Sequence, residues 1–163
     1  MKIHILTCGG TIDKVYFDAL SEYQVGEPSI IDILKNLKLG FEYEIEQLLR
    51  EDSLDMTDED RARVREAVAA SRHERILVTH GTDLMVQTAQ ALGDVGGKTV
   101  VFTGSMLPGR FSGTDAIFNI GFALAAVQTL RGGVYVCMNG TVFERDEVCK
   151  NRERGMFERK SDG

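Results

Sequence analysis

A chain of 163 residues with 43% hydrophobic residues is long enough for one globular domain with its own core. A net charge of −6 without a clustered Lys/Arg patch argues against nucleic-acid binding, and no apolar run is long enough to cross a membrane. The N-terminal apolar run is too short for a signal peptide, and three widely spaced cysteines are typical of a reducing compartment, so we expect a cytoplasmic protein.

The first part of the chain alternates between strand and helix patterns. Residues 2–7 are nearly all apolar, as in a buried parallel strand, and Gly9-Gly10 allows a sharp turn after them. Residues 13–26 show no clean period, so we expect a long functional loop there, which closes as a hinged lid. A helix over residues 28–40 begins at a proline and ends at a glycine, and a strand over 43–49 follows.

The second part of the chain continues the alternation with six further elements. In chain order these are a helix over 57–71, a strand over 76–79, a helix over 83–92, a strand over 99–103, a helix over 114–130 and a strand over 134–138. The tail from Asn139 is charged and poorly periodic, with Val142-Phe143 and Val148 as possible hairpin positions. The alternation predicts one domain over 1–163, a three-layer α/β/α sandwich around a mainly parallel sheet of Rossmann-like or flavodoxin-like type.

Polar side chains follow four of the predicted strands. They are Thr11, Ser53, the pair Thr82-Asp83, and Ser105. Carboxyl ends of parallel strands meet at one edge of the sheet, where open α/β sheets bind ligands, and a helix N-terminus beside Thr82-Asp83 would favour an anion. Each residue alone is most often a helix cap. Together they predict a crevice that binds a small polar molecule.

Other conspicuous residues have simpler interpretations. His80 is more typical of a hydrogen-bonded, half-buried imidazole than of a catalytic base, and the cysteines are typical of packing thiols. Lys150 stands in a run of charged residues and would, by itself, be interpreted as a solvated side chain. The Gly9-Gly10 turn lacks the spacing of the known nucleotide-phosphate motifs.

The motifs in this order resemble those of the bacterial-type L-asparaginase family. Thr7-Cys8-Gly9-Gly10-Thr11-Ile12 is similar to the family's glycine-glycine-threonine signature, and Val78-Thr79-His80-Gly81-Thr82-Asp83 is similar to its second signature. Further similar segments are Gly104–Pro108, Asp115 with Phe118 and Asn119, Met138–Val142, and Val148–Lys150. The resemblance covers nearly the whole chain and implies the fold of the N-terminal domain of asparaginases.

The resemblance implies hydrolysis of the side-chain amide of asparagine, with a weak activity on glutamine, and without a metal or cofactor. Thr11 matches the nucleophile that forms an acyl-enzyme, and Tyr23, with Tyr16 in reserve, matches the tyrosine that polarises it. Thr82, Asp83 and Lys150 match a second catalytic set that organises proton transfer. The implied substrate-binding residues are Gly10, Asp52, Ser53, Leu54, Gly81, Thr82, Asp83 and Ser105.

Three departures from the family pattern bear on function. Cys8 stands where the signature usually has threonine, and Leu54 stands where many members have glutamine. The chain stops shortly after Lys150, where typical members continue into a second domain, so we expect a short single-domain form and, by analogy, a homodimer or higher assembly. Two alternatives stay open: a non-catalytic binder of amino acids or acidic metabolites, and an ammonia-releasing subunit of an amidotransferase.

Overall fold

The computed structural model describes residues 1–160, which form ten strands and four α-helices. The strands are β1 (Lys2–Gly9), β2 (Lys14–Phe17), β3 (Glu22–Val25), β4 (Glu42–Glu51), β5 (Arg75–Thr79), β6 (Thr99–Thr103), β7 (Gly133–Met138), β8 (Thr141–Glu144), β9 (Val148–Asn151) and β10 (Met156–Arg159). The helices are α1 (Ser29–Leu34), α2 (Asp58–Ala70), α3 (Met85–Ala91) and α4 (Ala116–Thr129).

The central sheet has six strands in the order β4-β1-β5-β6-β7-β8, and β8 alone among them runs antiparallel. One face of the sheet packs on α2 and α3 through residues such as Val64 and Met85. The other face packs on α1 and α4 through residues such as Ile30 and Ile120. Helices on both faces of this sheet confirm the predicted three-layer sandwich. The sequence predicts it because parallel strands covered on both faces are largely apolar. No helix within residues 1–160 is both long and apolar enough to span a membrane.

The segment 13–26 is not the irregular loop that the sequence predicts. Strands β2 and β3 pair antiparallel with each other and form a separate two-stranded sheet. Most of their side chains are exposed or partly exposed on both faces of this hairpin. A hairpin without a buried face leaves no apolar alternation in the sequence, which explains the incorrect prediction.

Two predicted helices are longer than the helices observed. Helix α1 ends at Leu34, because Leu37 is 54% exposed and the apolar stripe does not continue to it. Helix α3 begins at Met85, so Thr82 and Asp83 lie in the turn before the helix and not in its first turn. Helix α3 thus begins two residues after Asp83.

Residues 139–160 of the predicted tail are an ordered part of the fold. Asn139 and Gly140 both have positive φ and connect β7 to β8 as a two-residue hairpin loop, for which Asn-Gly is a strong local signal. Strands β9 and β10 form a second hairpin, whose Phe157 is buried and donates its N–H to Asn139 Oδ1 at 2.8 Å. This hairpin carries Lys150. Residues 161–163 of the predicted tail lie outside the described residues.

Helix α2 has a defined cap at each end. Thr57 and Asp60 form a capping box at its start, as the predicted helix start suggests. At its end, Lys98 Nζ donates to the carbonyls of Val68, Ala69 and Ser71 at 2.7, 2.8 and 2.7 Å. A cation at a helix C-terminus is favourable because carbonyl groups there lack intrahelical partners.

The Lys98→Met variant is expected to lose about 1–2 kcal/mol of unfolding free energy, because three helix-end carbonyls lose a charged donor. Urea denaturation monitored by circular dichroism measures this change. The matched control is Lys38→Met, which removes an exposed lysine and should change stability by less than about 0.5 kcal/mol. Equal stabilities of the two variants would contradict the capping role.

Candidate active site

Four turns meet at the carboxyl edge of the sheet. They follow β4, β1, β5 and β6, which are consecutive neighbours in the sheet. The turns carry Asp52-Ser53, Gly10-Thr11, Gly81-Thr82-Asp83 and Gly104-Ser105, respectively. The topology therefore brings the predicted strand-end hydroxyls and carboxylates to one side of the molecule.

Two glycines allow three of these turns to touch. A Cβ atom on Gly10, whose φ is +88°, would lie 2.2 Å from the Cα atom of Gly81. A Cβ atom on Gly81 would in turn lie 2.6 Å from the side-chain oxygen of Ser53. Any side chain at either glycine would push the turns apart, since such contacts are far shorter than van der Waals distances. The turns of Thr11, Thr82 and Ser53 are thus held side by side.

Lys150 reaches this edge from β9. Its Nζ atom donates to Thr82 Oγ1 at 2.8 Å and to Asp83 Oδ1 at 3.0 Å. Thr82 is 4% exposed, and the Lys150 side chain is 15% exposed, so the amine is largely removed from water. The structure brings together a hydroxyl, an amine and a carboxylate, and their close pairing permits proton transfer between the amine and the hydroxyl.

Thr11 begins a short 3₁₀ turn that is anchored on both sides. Gly10 N–H donates to the Glu51 carbonyl at 2.8 Å, and the Ile12 carbonyl accepts hydrogen bonds from Ser29 Oγ and Gly109 N–H, each at 2.8 Å. Within residues 1–160 the Thr11 hydroxyl makes no hydrogen bond to another side chain. Its side chain is partly exposed, so it is accessible to a small molecule.

The structure does not place either candidate tyrosine on Thr11. Tyr16 and Tyr23 are opposite each other on the β2–β3 hairpin and are 52% and 50% exposed. Their rings pack edge to face with centroids 5.4 Å apart, and the Tyr23 ring lies 5.9 Å from the ring of Phe111. In the described part of the chain, neither phenol is hydrogen-bonded to Thr11.

The predicted substrate-binding residues differ in what they present. Ser53 is 1% exposed, and its hydroxyl accepts the Leu84 N–H at 3.4 Å. Leu54 is 59% exposed, and its N–H donates to Asp52 Oδ1 at 3.2 Å. Burial would raise the pKa of Asp52, but the Lys14 ammonium, 2.6 Å away, and the Leu54 N–H together hold it below its usual value.

The loop after β6 presents its backbone and not its hydroxyl. Ser105 is fully buried, and its hydroxyl donates to the Leu107 carbonyl of the same loop. Asp115 fixes this loop by accepting the N–H groups of Met106 and Leu107 at 2.9 and 3.0 Å. Asn119 completes the support, because its Nδ2 donates to the Gly104 carbonyl and to Asp115, each at 3.0 Å.

Sequence reasoning missed two cations at this edge. Lys14 pairs with Asp52, and Arg152 Nε lies 3.5 Å from Asp83 Oδ1. In the sequence, Arg152 is only one member of a charged run that is typical of a solvated surface. No local pattern indicates either pairing, because each joins residues that are distant in the chain.

Two buried titratable groups lie next to the site turns. His80 is fully buried, not half-buried as predicted; its Nδ1 bonds the Gly81 carbonyl at 2.7 Å, and burial lowers its pKa to about 4. Asp13 is 2% exposed and accepts the Ser29 N–H at 2.7 Å. Burial raises the pKa of Asp13 to about 6, against the opposing effects of Ser29 and Arg110.

These two groups predict opposite pH dependences of stability. The contribution of Asp13 is fully present at low pH and is lost as pH rises through about 6, since its folded pKa is raised. The contribution of His80 is present above about 6.5 and is lost as pH falls toward about 4, since its folded pKa is lowered. In the native protein, the changes in stability due to Asp13 and His80 largely cancel between about pH 4 and about pH 6.

The Asp13→Asn variant is therefore expected to lose about 2–3 kcal/mol of unfolding free energy as pH falls from roughly 6.5 to 4.5, because His80 is no longer offset. The native protein should change much less over this window. Urea titrations at several pH values measure both curves. Asp18→Asn, an exposed change in the turn of the β2–β3 hairpin, should follow the native curve. Parallel curves for Asp13→Asn and native protein would contradict the prediction.

The sequence and the fold of this chain are both similar to those of known proteins. Residues 2–160 match the family model described as Asparaginase, N-terminal. The L-asparaginase of Thermococcus kodakarensis is 30% identical over 168 residues, covering 96% of this chain and 49% of that relative. The solved structure of the thermostable L-asparaginase from the same organism has a TM-score of 0.87 at 28% identity, covering 98% of this chain and 51% of that chain.

Two further relatives show the range of similar proteins. A probable cytoplasmic L-asparaginase from Campylobacter jejuni has a TM-score of 0.81 at 27% identity, covering 96% of this chain and 52% of that structure. A glutamyl-tRNA(Gln) amidotransferase subunit from Thermoplasma acidophilum is 28% identical over 146 residues, covering 86% of this chain and 36% of that relative. The chain spans about half the length of the L-asparaginases that it matches. On the family match and the shared sheet, the chain belongs to the asparaginase family and has the fold of its N-terminal domain.

Proposed function

We propose that this protein hydrolyses the side-chain amide of L-asparagine to L-aspartate and ammonia, with a weaker activity on glutamine. The observation that carries the proposal is the hydrogen-bonded set of Lys150, Thr82 and Asp83 beside the Gly10-Thr11 turn. Membership of the asparaginase family supports an amidohydrolase, and the residues at this edge are those that such chemistry requires.

In the proposed reaction, Thr11 is the nucleophile. Its hydroxyl proton passes to the relay as its oxygen attacks the amide carbon. The amide nitrogen of the tetrahedral intermediate takes up that proton as the C–N bond breaks, so the nitrogen leaves as ammonia. Water then attacks the acyl-enzyme ester and frees aspartate together with the Thr11 hydroxyl. A threonine hydroxyl is a weak nucleophile until a base removes its proton, and the Lys150–Thr82 pair is the proposed proton relay.

The remaining groups bind and orient the substrate in this proposal. Asp83 receives the α-ammonium as a charge-assisted pair, and the turn of Ser53 receives the α-carboxylate. The backbone around Ser105, fixed by Asp115, receives the side-chain amide. Main-chain N–H groups near Gly10, Thr11 and Thr82 hold the oxyanion, because donors fixed in advance need no reorganisation during the reaction.

The β2–β3 hairpin is the proposed lid. Within residues 1–160 its two strands pair only with each other, and Arg50 Nε of β4 donates to the Val25 carbonyl at 2.9 Å. The hairpin joins the nucleophile turn at its base, where Gly26 N–H donates to the Asp13 carbonyl at 2.7 Å. In this proposal the hairpin closes about its base and carries Tyr23, or Tyr16, to Thr11. Lid closure of this kind excludes water and completes a catalytic set in many enzymes.

A second candidate function follows from one comparison. Because the Thermoplasma acidophilum relative belongs to an amidotransferase, we also propose as an alternative that this chain releases ammonia for a partner enzyme. The asparaginase activity of the purified chain distinguishes the two functions. The purified chain alone hydrolyses asparagine under the first proposal and is inactive until a co-purified partner is added under the second.

The direct test is ammonia release from asparagine and from glutamine by the purified protein. The leading proposal expects a higher kcat/KM for asparagine, and trapping an aspartyl ester on the peptide that contains Thr11 would identify the nucleophile. A rise in Tm on adding aspartate without turnover of either amide would support a non-catalytic amino-acid binder and overturn hydrolysis.

We also propose a homo-oligomer in the cytoplasm. The first turn of α4 supports self-association, since its adjacent apolar side chains Ile117 and Phe118 are 61% and 62% exposed. The resemblance to a probable cytoplasmic L-asparaginase supports the location. Sedimentation velocity tests the first point, and a monomer at all concentrations would contradict it.

A further inference from the structure

Two cations share one carboxylate oxygen at the candidate site. Asp83 Oδ1 lies 3.0 Å from Lys150 Nζ and 3.5 Å from Arg152 Nε. The Asp83 side chain is 29% exposed, while that of Arg152 is 67% exposed. The partly exposed Asp83 carboxylate therefore already pairs with two cations, both at Oδ1.

The two cations are not equally fixed. Lys150 is 15% exposed and is also hydrogen-bonded to Thr82, so it is held in the strand pair. Arg152 follows β9 in the turn of the β9–β10 hairpin, and its long side chain has Asp83 as its ion-pair partner within residues 1–160. Exposed pairs of this kind are weak, because water screens the charges and an ordered side chain loses entropy. Arg152 is the cation that an incoming ligand can displace.

An α-ammonium group that binds Asp83 must therefore compete with Arg152. A third positive charge near this carboxylate would be repelled by Lys150 and by Arg152, unless Arg152 moves away. A ligand that lacks the ammonium group meets no such competition. The pairing thus affects ligands with and without an α-amino group differently.

We propose that Arg152 is a specificity-determining residue that competes with the substrate's α-ammonium for Asp83 and so weakens selection for an α-amino group. This inference rests on the amino-acid site of the proposed function and names a residue that limits its selectivity. It predicts that the native protein distinguishes only modestly between L-aspartate and succinate, which is aspartate without the amino group.

The chain offers a matched control on the same hairpin. Arg154 is 65% exposed, and its ion-pair partner is Glu158, at 3.2 Å, not Asp83. Arg154→Gln and Arg152→Gln each remove one positive charge from this hairpin. Only Arg152→Gln removes a cation from Asp83. The comparison therefore separates the effect of competition for Asp83 from the effect of the hairpin's overall charge.

The experiment measures Kd for L-aspartate and for succinate by calorimetry with the native protein and both variants. In Arg152→Gln the ratio of the succinate Kd to the aspartate Kd should rise by roughly two- to fivefold, mainly through tighter aspartate binding. In Arg154→Gln the ratio should remain that of the native protein. Binding is measured without turnover, so the result does not depend on catalysis.

Three outcomes would overturn the inference. An unchanged ratio in Arg152→Gln shows that no competition exists, and equal weakening of both ligands assigns Arg152 to a ligand carboxylate instead. Failure of both ligands to bind any of the three proteins shows that Asp83 receives no amino acid. Ammonia release is scored separately: binding with the expected ratio but without ammonia release would refute the proposed hydrolysis and leave this inference standing.

Discussion

Thr11→Ala is expected to lower the rate of ammonia release from asparagine by at least about 10³-fold, because the acyl-enzyme cannot form without the hydroxyl. Thr11 lies on a turn that is anchored through the backbone of Gly10 and Ile12, so the methyl side chain should not disturb the neighbouring turns. Aspartate binding should therefore change little. A coupled assay for ammonia, combined with calorimetry of aspartate, separates the loss of chemistry from a loss of the site.

The conservative variant Thr11→Ser provides the control, since it keeps a hydroxyl at the same position. It should retain measurable turnover and should still give the aspartyl ester on the Thr11 peptide, while Thr11→Ala should give none. If the native protein and Thr11→Ala release ammonia at the same rate, Thr11 is not the nucleophile and the proposed reaction fails.

Lys150→Met is expected to reduce kcat by roughly 10²–10⁴-fold, with a smaller change in KM. The variant keeps the length of the side chain and removes the amine that lies 2.8 Å from Thr82 Oγ1. The proposed proton relay then lacks its amine, whereas Ser53 and the loop of Ser105 still bind substrate. Steady-state kinetics measures both parameters.

Stability must be checked in the same variant, because Lys150 is also a partner of Asp83. Arg152 remains beside Asp83, so that carboxylate keeps one cation, and we expect a small loss of Tm. Lys35→Met is the control, since it removes an exposed lysine that pairs with Asp32 away from the site. A Lys150→Met protein that is folded and has the native kcat would remove Lys150 from the mechanism.

The sequence predicts the central sheet well because burial on both faces leaves a strong local pattern. The apolar runs at residues 2–7, 76–79 and 99–103 lie in β1, β5 and β6. The start of α2 is also predicted from a local pattern, since Thr57 and Asp60 are three residues apart and form the capping box. The paired glycines Gly9-Gly10 predict a sharp turn at the end of β1, and both residues have a φ of +88° there.

The elements that sequence patterns miss lack such a local signal. The β2–β3 hairpin has no buried face, and the β9–β10 hairpin depends on buried Phe157 and on the side chain of Asn139 rather than on alternation. His80 is buried more deeply than its position predicts, because the turns of other elements cover the strand end around it. These differences share one cause: each depends on contacts between segments that are distant in the chain.

By itself, the sequence determined where the parallel strands of the central sheet lie and which strand ends carry hydroxyls and carboxylates, because burial acts over a few neighbouring residues. Only the tertiary structure decided which of these groups meet. Lys150 reaches Thr82 across 68 residues of chain, and Arg152 reaches the same carboxylate as Lys150, because β9 packs back against the edge where β5 ends. The pairing of polar groups depends on distances set by the packing of whole elements, and no local pattern contains those distances.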